Sequence, residues 1–432
     1  MKSKRKFYLS LVLFSLVGQI AWVVENMYLN VFIYEMFGAS PAQISAMISA
    51  SAVTATVTTV LIGALSDRFG KRKAFMCGGY LLWGVSILGF ALVNVGTVGR
   101  LFPAATSVTA LCVTLVIVLD CLMTFFGSTA NDACFNAWLT DMTAEGGRGR
   151  AEGINAMMPL IAILCVFGGF LSFDLSRAHS WTLIFCIIGA VVLLIGLAGL
   201  FVIEEPKLEN GKNNHYFANI VYGFRPSVVK QNGRLYLYLL GFALFGISIQ
   251  IFMPYLILYY TEALKMENYV FVMAPAIVLA SVFTVFWGRM YDRLGFLRSV
   301  LPSLGLLLLG YLLLFFFHQT IPVFVGSLFM MCGYLSGAAV FGAVIRDRTP
   351  QGCAGMFQGL RIVAQVLIPG VIGPAIGAFV LRNAETVVGN DGLEVFVPNA
   401  NVFLAALLAA LLLLAYIGAV AAWMKKKTTQ KS

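Results

Sequence analysis

The sequence predicts an all-α polytopic membrane protein, with twelve transmembrane helices in two six-helix half-bundles. Three observations lead there. Hydrophobic residues make up 60% of the chain and charged ones only 11%, whereas about a quarter of a soluble domain is charged. Apolar runs of the ~20 residues that a bilayer core requires recur along the whole chain. A polar hairpin set between two such runs also occurs twice, half a chain apart. Lipid offers no partner to a backbone N–H or C=O, so apolar runs of this length form helices rather than open strands.

The N-terminal segment Met1 to Lys6 carries four Lys or Arg in six residues, and an apolar run follows from Phe7 to Ile33. That run is too long for a cleaved secretory signal and reads as a retained first span. The spans then fall at roughly 7–34, 42–65, 74–93, 107–139, 151–173, 182–203, 234–261, 269–290, 299–317, 321–344, 357–380 and 400–424. The longest connection on the cytoplasmic side, 204–233, is rich in Asn, Lys, Glu and Gly and separates six spans from six. The expected organisation is an N-terminal half 1–203, a linker 204–233, a C-terminal half 234–424 and a basic tail 425–432.

A net charge of +10 could point to nucleic acid, but its distribution points to the membrane. Of 29 Lys and Arg, 24 fall on one side, four on the other (Arg100, Arg177, Lys265, Arg382), and Arg361 falls inside a span. This is the positive-inside pattern, which puts both termini in the cytoplasm of a cell-membrane protein. The bilayer is thus the expected partner. The eight cysteines are Cys77, Cys112, Cys121, Cys134, Cys165, Cys186, Cys332 and Cys353. They form no C-x-x-C pair and read as packing residues, so neither disulfide framework, metal site nor cofactor is expected. There is no His-Glu-x-x-His, Gly-x-Ser-x-Gly or phosphate-binding loop, which argues against an enzyme and against ATP-driven transport.

The first hairpin runs Gly63-Ala64-Leu65-Ser66-Asp67-Arg68-Phe69-Gly70-Lys71-Arg72-Lys73. The second, Gly288-Arg289-Met290-Tyr291-Asp292-Arg293-Leu294-Gly295-Phe296-Leu297-Arg298, lies 225 residues later, counting Asp67 to Asp292. A second repeat, at an offset of 206, matches the segment from Asp141 to that from Asp347, with Asp, Thr and three Gly retained. Tyr28-Leu29 with Glu35 likewise matches Tyr255-Leu256 with Glu262. On these residues the chain resembles the major facilitator superfamily of membrane transporters, whose loop between helices 2 and 3 carries this Gly-x-x-x-Asp-Arg-x-Gly pattern. The resemblance implies parallel repeats and a substrate site near the midplane between the halves, with alternating access. It also implies that the hairpins hold the cytoplasmic side shut, Asp67 and Arg68 facing span 11, and Asp292 and Arg293 facing span 5. Read without it, the hairpin is a basic turn that Gly70 allows to reverse tightly.

Ionisable groups within spans are costly, about 2.5–3.5 kcal/mol each at a helix centre, and so are functional candidates. Glu25, Asp120, Asp132 and Arg361 qualify. On span 4, Asp120, Thr124, Ser128 and Asn131 recur at spacings of four, four and three, with Asp132 and Asn136 beside them. Residues so spaced share a helix face, here one facing either a wet cavity or neighbouring helices. Asp132 is the better proton or cation site of the two carboxylates, because Asp120 lies nearer the outer half. Span 1 carries Gln19, Trp22, Glu25, Asn26 and Asn30, a mix of amides, acid and aromatic ring that suits a hydroxyl-rich ligand or interhelical bonding. Span 7 adds Gln250 and Tyr255, and span 11 adds Arg361 with Gln365. Gly370, Gly373, Pro374 and Gly377 of span 11 read as a close-packing or bending element.

Within the superfamily, Asn131-Asp132-Ala-Cys-Phe135-Asn136 and Phe357-Gln358-Gly359-Leu360-Arg361 are similar to segments of the glycoside-pentoside-hexuronide cation symporters. That likeness implies cation coupling or sugar binding at Asp132. The branch's melibiose-type members carry paired carboxylates on helix 2 where this chain has Ser51 and Ala55, which turns the expectation from sodium toward a proton at Glu25, Asp120 or Asp132. The function expected is proton-coupled uptake of a sugar or glycoside by a monomer. The alternative is export of amphipathic, drug-like compounds by proton antiport, for which 17 Met and 35 Phe would furnish a plastic apolar pocket.

Overall fold

Capping and glycine chemistry sets the ends of the helices. Ser40 opens span 2 with a reciprocal cap: the Gln43 N–H donates to Ser40 Oγ at 3.3 Å, and the Ser40 N–H donates to Gln43 Oε1 at 2.8 Å. Pro41 occupies the first helical position, where its missing N–H costs nothing. Gly38 (φ 60) ends span 1 and Gly70 (φ 62) ends span 2 in the left-handed conformation that glycine adopts without strain. The computed structural model describes residues 2–143, 148–205, 222–266, 268–350, 354–388 and 394–429. Of the residues singled out in the sequence, Cys353 lies outside these, as do the side chain of Asp67 and most of the linker 204–233.

Eleven helices among the described residues are long and apolar enough to cross a bilayer. They are Arg5–Phe37, Pro41–Phe69, Arg72–Phe90, Val108–Met142, Arg148–Phe170, Ala178–Val202, Gly233–Ala263, Val270–Phe316, Thr320–Arg348, Gly359–Leu381 and Asn401–Thr429. One of them, Val270–Phe316, has 47 residues and breaks at Gly295 (φ 75, ψ −177). Continuous helix of that length would reach about 70 Å, against a hydrocarbon core of about 30 Å. The Gly295 hairpin therefore divides it into spans 8 and 9, and the crossings number twelve. The protein is a helical multi-pass membrane protein. Small elements among the described residues depart from the expected pattern: a short helix Val95–Leu101, capped by Asn94, a short helix Pro226–Gln231 within the expected linker, and a strand pair of β1 (Thr386–Val388) and β2 (Glu394–Phe396) between spans 11 and 12.

Large apolar side chains such as Phe201 (83% exposed) and Ile321 (77%) point outward, a surface suited to lipid and hostile to water. The chain divides into two compact units, Met1–Ala218 with Val387–Val395, and Asn219–Thr386 with Phe396–Ser432. Small residues let helices meet backbone to backbone in each. In the first, a Cβ on Gly84 of span 3 would lie 2.6 Å from Leu193 N and 2.8 Å from Gly189 O of span 6. In the second, a Cβ on Gly310 of span 9 would lie 2.7 Å from Met330 Cα and 2.8 Å from Gly326 O of span 10. The Gly-rich stretch of span 11 is likewise a packing surface: a Cβ on Gly373 would stand 2.9 Å from the Gln250 carbonyl carbon of span 7.

Gly84→Val should destabilise the protein by about 1–3 kcal/mol, as overpacking does, lowering its melting temperature in detergent. Gly418→Ala, with open space around it, should leave that temperature unchanged.

Candidate functional site

Among the described residues, short π-helical turns interrupt four spans, at Val24–Tyr28, Ser128–Phe135, Tyr259–Ala263 and Val363–Leu367. Such turns are rare and concentrate at functional sites. Of the polar residues picked out by spacing, Glu25 and Asn26 sit in the first turn, Ser128, Asn131 and Asp132 in the second, and Gln365 in the last. On span 7, Pro254 falls in a tighter 3₁₀ turn, Met253–Tyr255, which makes it a bend.

Glu25 is the acid held by hydroxyls of two other spans. It is 7% exposed, and its Oε1 accepts from Ser51 Oγ of span 2 at 2.8 Å and from Thr124 Oγ1 of span 4 at 2.8 Å. The two hydroxyl oxygens are 2.7 Å apart. Glu25 Oε2 and Asp120 Oδ1 are buried without a hydrogen-bond partner, and the two carboxyls interact electrostatically. Asp120 itself is 2% exposed. Ser51, read in the sequence as a missing carboxylate, thus partners Glu25 from span 2.

The π-turn in span 4 splits the expected single stripe. Asn131 turns inward, and its Nδ2 donates at 2.8 Å to Tyr80 OH of span 3, which donates in turn to Phe14 O of span 1 at 2.6 Å. Asp132 stays half-buried, with Oδ2 accepting from Ser128 Oγ at 3.0 Å, and Asn136 is exposed, donating to Asp132 O at 3.1 Å. On span 1, Gln19 is half-buried, exposed Asn26 donates to Trp22 O at 2.8 Å, and buried Asn30 donates to Asn26 O at 3.3 Å. The Trp22 ring lies 5.0 Å from that of Trp83 on span 3, over Gly127, where a Cβ would stand 2.8 Å from Trp83 Cε2. Spacing along one helix gave no sign of Tyr80 or Trp83, which belong to a third helix. Their position beside Gly127 and Gly18 is a tertiary fact.

In the second unit the candidates are dispersed. Gln250 is half-buried against Gly373 of span 11, and Tyr255 is buried with its ring edge-on to Phe396 at 6.2 Å. Gln365 is exposed. Arg361 is half-buried, makes no ion pair among the described residues, and faces the like charge of Arg346.

The hairpins are tied differently in the two units. In the first, Gly63 lies within span 2 and Arg68 is exposed. Buried Arg72 bonds through Nε to Asp141 Oδ2 at 3.1 Å and through Nη1 to Ser66 Oγ at 2.6 Å. Both Glu205 oxygens accept from the Lys73 N–H at 3.2 Å, placing a carboxylate on the N-terminus of span 3. In the second, Asp292 and Arg293 are exposed, and Leu297 stands where the repeat places Arg72. Tyr291, at the Ser66 position, reaches Asp347 directly, its hydroxyl donating to Oδ2 at 2.5 Å.

A family model described as the Major Facilitator Superfamily matches residues 9–374. No curated protein matches the chain. Among solved structures, a mutant of the nucleoside transporter NupG is similar at 14% identity and TM-score 0.71, covering 95% of this chain and 98% of that one. A bacterial homolog of the human lysosomal transporter Spinster is similar at 14% identity and TM-score 0.69, covering 95% and 96%. A D-xylose-proton symporter is similar at 14% identity and TM-score 0.67, covering 94% and 97%. At such identities the likeness is one of fold.

Arg72→Ala leaves the partly buried Asp141 without its cation and should cost about 1.5–3 kcal/mol, the range for hydrogen bonds to charged groups. Tyr291→Phe removes one bond to an exposed carboxylate and should cost less. Chemical unfolding of the two purified variants checks the order.

Proposed function

Because the chain belongs to the Major Facilitator Superfamily, we propose that it is a secondary active transporter coupling uptake of a sugar or glycoside to a proton by alternating access. The observation that carries this reading is an acid inside the first span, Glu25, held by hydroxyls of two other spans and set near a tryptophan pair. A buried carboxyl supplies a place for the coupling ion. A half-buried acid with exposed amides (Asp132, Asn136, Asn26) supplies donors and acceptors for sugar hydroxyls, and Trp22 a platform for the sugar's apolar face. Solved structures of the same fold include a D-xylose-proton symporter and a nucleoside transporter, both of whose substrates contain a sugar ring.

In this reading the functional units are the halves 1–203 and 234–424, joined by the linker 204–233, in one chain acting as a monomer in the cell membrane. Both termini lie in the cytoplasm, as the clustering of 24 of 29 basic residues implies. The two hairpins act at the cytoplasmic gate. Asp132 is assigned to the substrate and Glu25 to the proton. Within the superfamily, the segment Asn131 to Asn136 supports the glycoside-pentoside-hexuronide branch, with a proton taking the place of sodium.

Proteoliposomes holding the purified protein and a pH-sensitive dye test this reading. A panel of sugars and glycosides should include one that acidifies the interior, and Asp132→Asn should abolish that response. Trp22→Ala should weaken apparent sugar affinity about tenfold, equivalent to ~1.4 kcal/mol. Proton flux driven by hydrophobic cations, with no response to any sugar, would establish the exporter instead.

A further inference from the structure

We infer that the second unit binds one anionic phospholipid, with an acyl chain in an apolar groove between spans 7, 9 and 12 and the phosphate among basic residues at the groove's mouth. The groove, of about 270 Å³, is walled by Tyr238 of span 7, Leu297 of span 9, and Val420 and Met424 of span 12. Glycine keeps it open: a Cβ on Gly241 would stand 3.1 Å from the ring of buried Phe341 on span 10. The Tyr416 hydroxyl at its edge already donates to Leu237 O at 2.9 Å. A water or a sugar would leave its polar groups unpaired in such a space, whereas a hydrocarbon chain loses nothing there.

Position and charge agree with that occupant. Leu297 is 37% exposed and Leu301, one turn on along the same face of span 9, is 44% exposed, so the groove opens on the surface that meets lipid. Tyr416 and Met424 stand eight residues apart, about 12 Å along span 12. Exposed Trp423, beside Met424, suits the membrane–water interface, and the groove therefore runs from headgroup level into hydrocarbon. Three helices bring an exposed cation to its mouth. Arg234 shares a face with Leu237 and Tyr238, Arg298 follows Leu297, and Lys425 follows Met424. Among the described residues the acids at this end of the unit are Asp292 and Asp347, and Tyr291 bonds the second.

The internal repeat sharpens the charge argument. In the first unit Arg72 meets Asp141, and the Glu205 carboxylate reaches the next residue, Lys73. At the matching positions the second unit has Leu297 and Arg298, and Arg298 makes no ion pair among the described residues. The first hairpin finds its anions within the protein. The second turns an apolar side chain and a cation outward, which is the pattern that a lipid chain and its phosphate complement. This site is independent of what the protein carries.

Native mass spectrometry of the purified protein, titrated with phosphatidylglycerol or with phosphatidylcholine of the same chains, tests the inference. One phosphatidylglycerol should stay bound at concentrations that leave phosphatidylcholine dissociated. Arg234→Gln combined with Arg298→Gln should weaken that binding by about fivefold per charge removed. Arg5→Gln combined with Lys6→Gln, in the first unit, should not. Val420→Trp fills the groove and should abolish the preference while keeping the wild-type melting temperature. Equal retention of the two lipids, or an equal loss in the Arg5 and Lys6 variant, overturns the inference and leaves only unspecific lipid contact. Full phosphatidylglycerol affinity in Val420→Trp overturns it as well. So does displacement of phosphatidylglycerol by tetraphenylphosphonium that the protein also transports, or a dimer that Val420→Trp dissolves. None of these outcomes bears on sugar-driven acidification in proteoliposomes, which tests the transport reading separately.

Discussion

Hydrocarbon offers a peptide group no partner outside its own helix, and each helix here answers to that constraint. Where the α pattern gives way, at the π-turns of spans 1, 4, 7 and 11 and at Gly295, the backbone keeps its bonds in a wider turn or leaves the helix at a hairpin. Side chains meet the same demand. Tyr80 donates to the carbonyl of Phe14, and Ser248 to that of Ala406. Helices that satisfy their own backbones gain little by packing against one another in lipid, so association depends on close fit. That is why glycines occupy the meeting of spans 3 and 6 and of spans 9 and 10.

The two units carry matching sequence segments that hold different chemistry. The repeat sets Asp141 against Asp347, Ser66 against Tyr291 and Arg72 against Leu297. In the first unit the short serine cannot reach the aspartate, and a buried arginine spans the gap, bonding both. In the second a tyrosine is long enough to reach the aspartate itself, and the arginine position carries a leucine. The tie survives the loss of its cation because a phenol substitutes length for charge. A buried guanidinium must keep its carboxylate or pay heavily, whereas a phenol at an exposed carboxylate carries no such penalty.

Much of the fold was legible in the sequence because the lipid constraint acts locally: length, apolarity and the glycine of each hairpin suffice to find twelve crossings, Gly295 included. The short helix after Asn94 and the β1–β2 pair were not, since neither carries the long apolar signal. For the site, the cost of a charge in lipid singled out Glu25, Asp120 and Asp132, and spacings of four singled out Thr124 and Ser128, features intrinsic to each helix. Asn131, on the same stripe, sits in the π-turn and bonds Tyr80 of span 3, the neighbouring-helix alternative that the spacing also allowed. Ser51, Tyr80 and Trp83 stayed hidden for another reason. Each is a single polar or aromatic residue in an apolar run, and its meaning comes from the helix opposite.

The unpartnered polar atoms show where binding energy remains available. Among the described residues nine buried side-chain atoms lack a hydrogen-bond partner, and all but Ser299 Oγ belong to the first unit. Several buried hydroxyls of the second unit are paired with one another, Ser248 with Tyr311, Tyr260 with Ser327, Ser336 with Ser303. A buried donor or acceptor left unpaired costs about 1–3 kcal/mol. An acceptor would satisfy Trp22 Nε1–H, and a donor Asn30 Oδ1 or Asp120 Oδ1, the bonds left unmade there. Among the described residues, the unmet polar bonds are thus concentrated in spans 1 to 4.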